Sequence, residues 1–435
     1  MWFNRLSAKA SEEDGSAMIW SLFWSAMFIL IGGLAVDGGN AWRMRTMMQA
    51  TADASAHAAA VALNSGRSTA MAEALRVAEI NMPSRFYGNV IQESDIDIGR
   101  WNSASGEVDT SAAAPDTVRV TASRTRAKAN AQRTFFLTLG FFDFWELRAQ
   151  SAVQRFSPAC VQDGLIAYGV VELSSNNDFE GDICVHGQGG VKMSQHNSFA
   201  DGVTVGMPDL DSLQVPAGNL DRNPGLATAL SEQFLEPRLV NRIGEMISEL
   251  SDPNSALQPS YMAPYGKRVV SVMAKDFDAG NLDKGTIYLV TCKGNSGLSL
   301  RDSAVMEDVV IVTTCKVSFG KNMTLRNVTI ATSNTSNQSF SGSAGTRIGY
   351  PDNCAEGGGA QLLTAGNVHF AAKMEFHGSQ IVAAGDVMLA AQANGIQGTS
   401  VQAGGDIKVT SNSAFGLCDG DADQEFTAPY WRLVN

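Results

Sequence analysis

The chain has 435 residues and a formal net charge of −12, with 32 Lys and Arg residues against 44 Asp and Glu residues. Nucleic-acid-binding proteins concentrate positive charge in a basic patch or stripe. The sequence contains none, so we expect no nucleic-acid partner. The 42 glycines and the low 17% share of charged residues predict a β-rich architecture with many tight turns. The length predicts two or three domains.

An apolar segment near the N-terminus, residues 17–36, contains no charged residue. A helix of about 20 apolar residues crosses the roughly 30 Å hydrocarbon core of a bilayer. We therefore predict a short tail over residues 1–16 and a single transmembrane helix over residues 17–36. A cleaved signal peptide is the alternative. Its apolar region is usually about 7–15 residues long and follows a basic segment, whereas residues 12–14 here are acidic.

The positions of the basic residues alone do not orient this span. Arg5 and Lys9 precede it, and Arg43 and Arg45 follow soon after it, so the positive-inside count nearly ties. All six cysteines lie beyond the span, and their spacings fit no zinc or redox motif. Disulfides persist in oxidising compartments such as the bacterial periplasm. We therefore predict a cytoplasmic N-terminus and a periplasmic bulk.

The cysteines predict three disulfide bonds. Pairing sequence neighbours gives Cys160–Cys184, Cys292–Cys315 and Cys354–Cys418, one of about fifteen arrangements that six cysteines allow. Six buried free thiols are the alternative.

Residues 37–83 are rich in alanine, and this composition predicts helices beyond the span. The stretch from Ala41 to Leu63 consists mainly of strong helix formers, and a second helix is predicted over about residues 69–81. Small side chains recur on one stripe of the first helix, at Ala50, Ala54, Ala58 and Val61. A smooth face of this kind lets another helix approach closely, so we predict that the stripe mediates helix–helix association.

Two glycines after the span, Gly38 and Gly39, leave the length of the first helix open. A helix loosened there would end at the membrane surface. A helix that continued unbroken from Ala17 to Leu63 would reach about 70 Å, at roughly 1.5 Å per residue.

Residues 84–157 predict a small β or α+β module. Alternation of polar and apolar residues predicts strands at 95–101 and 117–124, and residues 147–156 predict another. The aromatic residues between positions 135 and 145 are expected to be buried, because aromatic side chains carry large apolar surfaces.

Three motifs together resemble the TadE/TadG-like proteins of the Flp (tight adherence) pilus machinery. They are Asp14-Gly-Ser-Ala, the end of the span at Leu34-Ala-Val-Asp37, and Gln49-Ala-Thr-Ala-Asp-Ala-Ser-Ala-His-Ala-Ala-Ala60. Asp97-Ile-Gly-Arg-Trp101 and Val118-Arg-Val-Thr121 are also similar to the region after the anchor in TadG-like chains. The resemblance covers the N-terminal third of the chain. It implies an inner-membrane protein with a short cytoplasmic tail, a periplasmic bulk, and pilin-like or other Tad secretion subunits as partners.

The sequence departs from this family's pattern in two places. Prepilin-type cleavage follows a glycine and needs a glutamate five residues later, but Trp20 stands at that distance from Gly15, so processing is not expected. Longer TadG-like proteins often carry a D-x-S-x-S metal motif. Its nearest match, residues 109–113, lacks the second serine, so we predict no metal site there.

An internal repeat of about 20 residues begins beyond this module. Residues 171–179 align with 191–199, and residues 376–386 align with 396–406. Short alternating strands at this period predict a parallel β-solenoid, which we assign to residues 158–435. A β-sandwich with chance similarity between segments is the alternative.

The repeat is absent from about residues 208–285, which predicts an insertion in the solenoid. Within it, residues 227–250 have the apolar spacing of an amphipathic helix, which Pro237 would kink or divide. We expect the insertion to pack on its own solenoid.

Parallel β-helices include polysaccharide-cleaving enzymes, so repeated carboxylates need an interpretation. Asp386 and Asp406 occupy one repeat position, with Asn367 one coil earlier. Because Asx side chains stabilise their own turns, we interpret these residues as structural. No nucleophile, zinc or phosphate-binding motif occurs in the sequence. We therefore predict no catalytic residues, no cofactor and no metal ligands.

The sequence favours a non-enzymatic, membrane-anchored periplasmic component of Tad/Flp pilus assembly, acting by helix–helix association and through a rigid solenoid surface. An exported adhesin that binds polysaccharide or another surface is the alternative, since solenoids present extended binding faces. A β-helix carbohydrate-active enzyme is more remote, because the sequence does not single out two suitable carboxylates.

Overall fold

The structure is a computed structural model that describes residues 14–156, 158–216, 220–294, 296–353, 355, 357–371, 373–390, 394–410, 412–416, 418 and 425–434. These residues form two units. Unit 1 contains residues 14–156 and 429–434, and unit 2 contains residues 158–428 within the described ranges.

The predicted membrane span is the first part of one long helix, α1 (Asp14–Ala62). Every residue from 16 to 36 is exposed except Gly33, and this part is long and apolar enough to cross a membrane. The helix passes through Gly38 and Gly39 without a break, so its 49 residues extend for about 74 Å. The unbroken alternative is therefore the one observed.

The second half of α1 packs against helix α2 (Arg67–Asn81), and a short helix α3 (Ser84–Tyr87) follows. Alanines supply most of this contact. The buried ones are Ala52, Ala56, Ala59 and Ala60 of α1 and Ala70, Ala74 and Ala78 of α2. Short side chains let the two helix backbones approach closely. Short 3-10 turns lie at Leu63–Ser65, Glu93–Asp95 and Leu137–Gly140.

An antiparallel sheet completes the core of unit 1. Its strands include β1 (Ile96–Asn102), β2 (Glu107–Asp109), β3 (Thr117–Arg124) and β6 (Leu147–Phe156), with a small separate hairpin of β4 (Gln132–Arg133) and β5 (Phe144–Trp145). The order is β2-β1-β3-β6 followed by the C-terminal strand, Tyr430–Val434. Val118, Val120 and Val153 of this sheet share one apolar core with the alanines of α1. The period-two strand predictions are confirmed. The last strand, however, pairs with β6 in unit 1 and is not part of the solenoid domain that we assigned to residues 158–435.

The expected burial of the aromatic segment is wrong. Residues 134–143, which we name the aromatic loop, expose five large apolar side chains: Phe135, Phe136, Leu139, Phe141 and Phe142. The core of unit 1 is filled instead by alanines together with valine, isoleucine, methionine and leucine side chains. The loop therefore lies at the surface of the unit.

Unit 2 is a parallel β-solenoid, as predicted, whose coils turn through three faces. Face A contains β7 (Gly164–Ala167), β10 (Cys184–Gly187), β13 (Thr204–Met207), β14 (Leu230–Glu232), β15 (Arg268–Met273), β16 (Thr286–Thr291), β18 (Val305–Thr313), β20 (Thr324–Thr332), β23 (Ala360–Thr364), β26 (Ser379–Ala383) and β29 (Ser400–Ala403). Face B contains β8 (Val171–Leu173), β11 (Val191–Met193), β17 (Leu298–Ser299), β19 (Val317–Phe319), β21 (Phe340–Gly342), β24 (Val368–Phe370), β27 (Val387–Leu389) and β30 (Ile407–Val409). Face C contains β9 (Asp178–Phe179), β12 (Ser198–Phe199), β22 (Arg347–Ile348), β25 (Glu375–His377), β28 (Asn394–Gln397) and β31 (Ala414–Gly416).

Three short helices and four 3-10 turns accompany the described coils. The helices are α4 (Ala159–Gln162), α5 (Leu226–Ala229) and α6 (Ile243–Leu250). The 3-10 turns are Leu210–Ser212, Val240–Arg242, Ser260–Met262 and Ala274–Asp276.

The 20-residue repeat is the coil of this solenoid. Val171 pairs with Val191 and Phe179 with Phe199, which is the predicted alignment. The rings of Phe179 and Phe199 stack with centroids 5.2 Å apart. Identical side chains thus lie above one another, and each coil covers the apolar edge of the next.

Buried asparagines form a ladder at the turn from face B to face C. The side-chain carbonyl of Asn197 accepts hydrogen bonds from the backbone N–H (3.1 Å) and the side-chain amide (2.9 Å) of Asn177. The side-chain carbonyl of Asn223 accepts from the backbone N–H of Asn197 at 2.9 Å. All three residues are buried, so the ladder supplies partners to backbone groups that water cannot reach.

The coils do not stack in chain order. β7, β8 and β9 pair in parallel with β29, β30 and β31, so the first coil of unit 2 lies on the last one. Face A therefore runs β15-β16-β18-β20-β23-β26-β29-β7-β10-β13-β14. The two ends of this stack, β14 and β15, are neighbours along the chain.

Residues 233–267, the return segment, connect these two ends along the outer side of face A. Asn241 donates a hydrogen bond to the Tyr168 hydroxyl beside β7 (2.9 Å). The Tyr265 hydroxyl donates to Asp308 in β18 (2.9 Å). Between them, α6 packs on β18, β20 and β23. The insertion thus packs on its own solenoid.

The predicted helix over residues 227–250 is wrong in extent. Only α5, α6 and the 3-10 turn Val240–Arg242 are helical there, and β14 joins face A between α5 and that turn. Residues 233–237 have no regular secondary structure. The predicted insertion, 208–285, is also too long, since β14 and β15 both belong to the stack.

Two of the predicted disulfides are present, Cys160–Cys184 and Cys292–Cys315. Cys418 is also disulfide-bonded. The third predicted pair involves Cys354, which lies outside the described residues. Among the cysteines that the structure describes, none is free.

We predict that Asn197→Ala destabilises the solenoid by about 2–4 kcal/mol, because it leaves two buried donors of Asn177 without an acceptor. Denaturation by urea measures the loss. The exposed Asn254→Ala variant is the matched control and should change the free energy of unfolding by less than about 0.5 kcal/mol. Equal stabilities of the two variants would contradict a structural role for the ladder.

We also predict a stability loss at mildly acidic pH that depends on His186. This residue is fully buried on face A, and among the described residues neither ring nitrogen has a hydrogen-bond partner. Burial lowers the pKa of His186 to about 4, whereas the unfolded chain takes up the proton near pH 6.5. The unfolded state therefore binds more protons between pH 6.5 and 4, and stability falls by up to about 3 kcal/mol as the pH decreases through this window.

Thermal unfolding followed by circular dichroism from pH 7.5 to 4.5 measures this dependence. His186→Leu removes the titrating group, so its midpoint should fall less steeply than that of the wild type. The exposed His369→Gln variant serves as control and should follow the wild type. The explanation fails if the His186→Leu curve is as steep as the wild-type curve.

Candidate functional site

The apolar half of α1 presents an unbroken hydrophobic surface. Trp20, Phe23, Trp24 and Phe28 contact one another along the helix, with ring centroids 5.8–5.9 Å apart, and all four are exposed. A helix that is apolar on all sides is buried in a bilayer or among other helices. This part of α1 is the first candidate site.

Asp37 ties the end of the apolar segment to unit 1. Its carboxylate accepts backbone hydrogen bonds from Phe135 (2.8 Å), Phe136 (2.9 Å) and Leu137 (2.8 Å). The residue is almost completely buried. The membrane-length part of the helix is therefore joined to the folded unit by hydrogen bonds as well as by the chain.

The predicted stripe for helix association lies on the less buried side of α1. Ala50 and Val61 are exposed, and Ala54 and Ala58 are half-buried. The neighbouring side, with Ala52, Ala56, Ala59 and Ala60, faces the core of unit 1. The stripe is thus still accessible to another helix, and its role stays a prediction.

A shallow groove of about 480 Å³ lies on the outer side of face B. Its floor is a column of the middle residues of successive strands: His369, Met388, Lys408, Glu172 and Lys192. Since side chains in a strand alternate between the two sides, the flanking residues of each strand fill the core. The middle residues are left to face outward.

Glu172 lies between two lysines in this groove. Its carboxylate is 3.3 Å from the Lys192 ammonium and 3.4 Å from the Lys408 ammonium. Partial burial by itself raises the pKa of Glu172, but the two ammonium groups outweigh it and hold the pKa below its usual value. Glu172 is thus ionised at neutral pH, and the pair of lysines leaves this part of the floor positive.

Asn367, Asp386 and Asp406 form one wall of the groove. Asp386 accepts from the Asn367 side chain (3.1 Å) and from the backbone N–H of Asp406 (2.9 Å). Asp406 accepts from the backbone N–H of Val170 (2.7 Å). These bonds join successive coils, which supports the structural interpretation of Asn367, Asp386 and Asp406. No group of three His, Cys, Asp or Glu side chains in the described ranges could hold a metal ion.

The sequence alone identified the wall of the groove but not its floor. The repeat alignment places Glu172 and Lys192 at equivalent positions, and this signal could have paired them. Lys408 could not have been placed beside Glu172, because these residues are 236 positions apart and meet only through the stacking of the first coil on the last.

Comparisons with known proteins match both units. The family model described as Domain of unknown function (DUF7867) matches residues 164–419, which is most of the solenoid. A second model, described as Flp pilus-assembly TadE/G-like (Tad), matches residues 15–62, which coincides with α1. No curated protein and no solved structure gave a significant match. Since the first model covers more than half of the chain, the protein belongs to the DUF7867 family, and its N-terminal helix carries the TadE/G-like segment that the sequence resembles.

Proposed function

We propose that this protein is a non-enzymatic, membrane-anchored component of Flp pilus assembly. The observation that carries the proposal is the coincidence of the Tad match with α1. Residues 15–62 match that family, and the same residues form a helix whose first part is apolar and exposed and whose second part is packed in unit 1.

Retention of the anchor is favoured over cleavage as a signal peptide. The helix runs from the span into the core of unit 1 without a break. Asp37, at the end of the span, holds three backbone groups of the aromatic loop. Cleavage near the end of the apolar segment would cut a helix that is continuous with the folded unit.

The disulfides support a periplasmic location for both units. Cys160–Cys184 and Cys292–Cys315 lie in unit 2, and such bonds persist in oxidising compartments. A single inner-membrane span with a cytoplasmic N-terminus satisfies this requirement.

In this role the protein would act by two contacts. The accessible stripe at Ala50, Ala54, Ala58 and Val61 would associate with the helices of pilin-like or other Tad subunits. The solenoid would present a rigid surface to such subunits, because each of its coils is held by parallel hydrogen bonds to its neighbours.

A deletion strain tests the proposal. We expect few or no pili by electron microscopy and reduced surface adhesion, with recovery on expression of the wild-type chain. Ala50→Trp should restore fewer pili than the wild type, because a bulky exposed residue blocks close helix approach. Ala72→Trp, on the exposed side of α2, is the matched control and should restore them fully. Unchanged pilus number in the deletion strain would contradict the proposed function.

The groove on face B favours a second candidate function, an adhesin that binds a polysaccharide. Its lining combines two lysines, Glu172 and an Asn/Asp wall, and such groups can hydrogen-bond sugar hydroxyls and pair with acidic sugars. The floor offers one side chain from each of several successive coils, so a polymer could contact several coils at once.

Binding of the full-length chain to a panel of acidic and neutral glycans tests this candidate. The double variant Lys192→Ala/Lys408→Ala should reduce binding at least about tenfold, which corresponds to a loss of about 1.4 kcal/mol. The exposed Lys321→Ala variant, elsewhere on the solenoid, should bind like the wild type. Absence of binding to every glycan would exclude this function for the groove.

A further inference from the structure

The aromatic loop has a composition that is unusual for a solvent-exposed turn. Phe141 is 95% exposed, and the loop also exposes Phe135, Phe136, Leu139 and Phe142. Five large apolar side chains are thus exposed within eight positions, and exposed apolar surface of this kind marks interaction sites.

The loop lies directly beside the apolar half of α1. Phe136 packs against the helix at Gly33, where an added Cβ would be only 2.5 Å from the Cβ of Phe136. Gly140 approaches the side chain of Leu30 in the same way, at 3.3 Å. The Asp37 carboxylate adds three hydrogen bonds between α1 and the loop. The loop therefore lies beside residues 30–37 of α1, which include about the last two turns of the predicted span.

Most backbone N–H groups of the loop have hydrogen-bond partners within the protein. Asp37 accepts from the N–H groups at the beginning of the 3-10 turn. The N–H groups of Leu139, Phe141 and Phe142 donate to carbonyls within the loop, each at 3.1 Å. The N–H of Thr134 donates to the Asp143 carbonyl at 3.0 Å. Non-helical backbone is tolerated at membrane depth only when its polar groups have partners in the protein, and this loop largely meets that condition.

Two arginines border the loop beside Phe144, next to the exposed Asp143 and Glu146. Arg126 and Arg133 lie against the Phe144 ring, with guanidinium carbons 5.3 Å and 5.8 Å from its centroid. Both arginines are exposed. Basic side chains next to an apolar surface suit the boundary between lipid tails and anionic headgroups.

We propose that the aromatic loop inserts into the lipid bilayer beside α1 and forms a second membrane contact of unit 1. The occupant of its apolar surface is lipid, because this surface is continuous with the exposed apolar band of α1 at the same level. A helix alone can tilt and rotate in a bilayer. Asp37 and Gly33 hold the loop against one side of α1. Insertion of the loop therefore limits the tilt and rotation of α1 and, with them, the orientation of unit 1 on the membrane. The inference rests on the proposed anchoring by α1 but not on a role in pilus assembly.

Spin-label accessibility on the full-length chain in lipid nanodiscs tests this inference. Nitroxides are placed at Phe141→Cys and Leu139→Cys, two exposed positions whose substitution leaves the core of unit 1 intact. Ile29→Cys in the span reports the anchor, and Ser105→Cys in the exposed β1–β2 turn of the same unit reports water. The wild-type chain, labelled in parallel, gives the background from native cysteines.

If the loop is in lipid, collisions with oxygen should exceed collisions with a water-soluble nickel chelate at positions 139 and 141, as they should at position 29. The ratio of oxygen to nickel collisions at these positions should be several-fold higher than at position 105. Nickel accessibility at 139 and 141 equal to that at 105, with position 29 still in lipid, would overturn the inference and leave the anchor intact. Low accessibility to both reagents would mean that another protein surface covers the loop, and it would also overturn the inference. Nickel accessibility at position 29 would remove the anchor itself and, with it, the proposed function.

Discussion

The solenoid depends on the parallel pairing of β7, β8 and β9 with β29, β30 and β31. This pairing joins segments that are 236 residues apart and converts two short stacks into one. The entropy of closing so long a loop grows only slowly with its length, whereas each added coil contributes a full set of hydrogen bonds and a covered apolar edge. The return segment is the consequence, because the chain must travel from β14 back to β15 before it can build the remaining coils.

The groove on face B exists because of the same pairing. Lys408 belongs to the last coil, Glu172 to the first and Lys192 to the second. Only the stacking of these coils brings the three charges into contact. The wall has the same origin, since Asp406 accepts from the backbone of Val170 across the junction. The groove therefore combines side chains from both halves of unit 2.

α1 meets two different environments along one helix. Its first half satisfies every interior backbone group internally, as a bilayer requires, and its second half uses alanine to pack closely on α2 and the sheet. Asp37 marks the change between the two. A carboxylate there would be costly without partners, and the three N–H groups of the aromatic loop supply them. The anchor, the loop and the folded part of unit 1 are thus parts of one structural element.

The sequence by itself determined the elements that depend on local pattern. The apolar length of α1, the period-two strands of unit 1, the 20-residue coil and the TadE/G-like character of the first helix all follow from residues near one another. Tertiary structure alone decided the order of the coils, the contact of Lys408 with Glu172, the absence of a helix at residues 233–237 and the exposure of Phe141. The physical reason is that hydrophobic periodicity reports which side of an element is apolar, whereas it does not report whether protein, lipid or a distant coil covers that side.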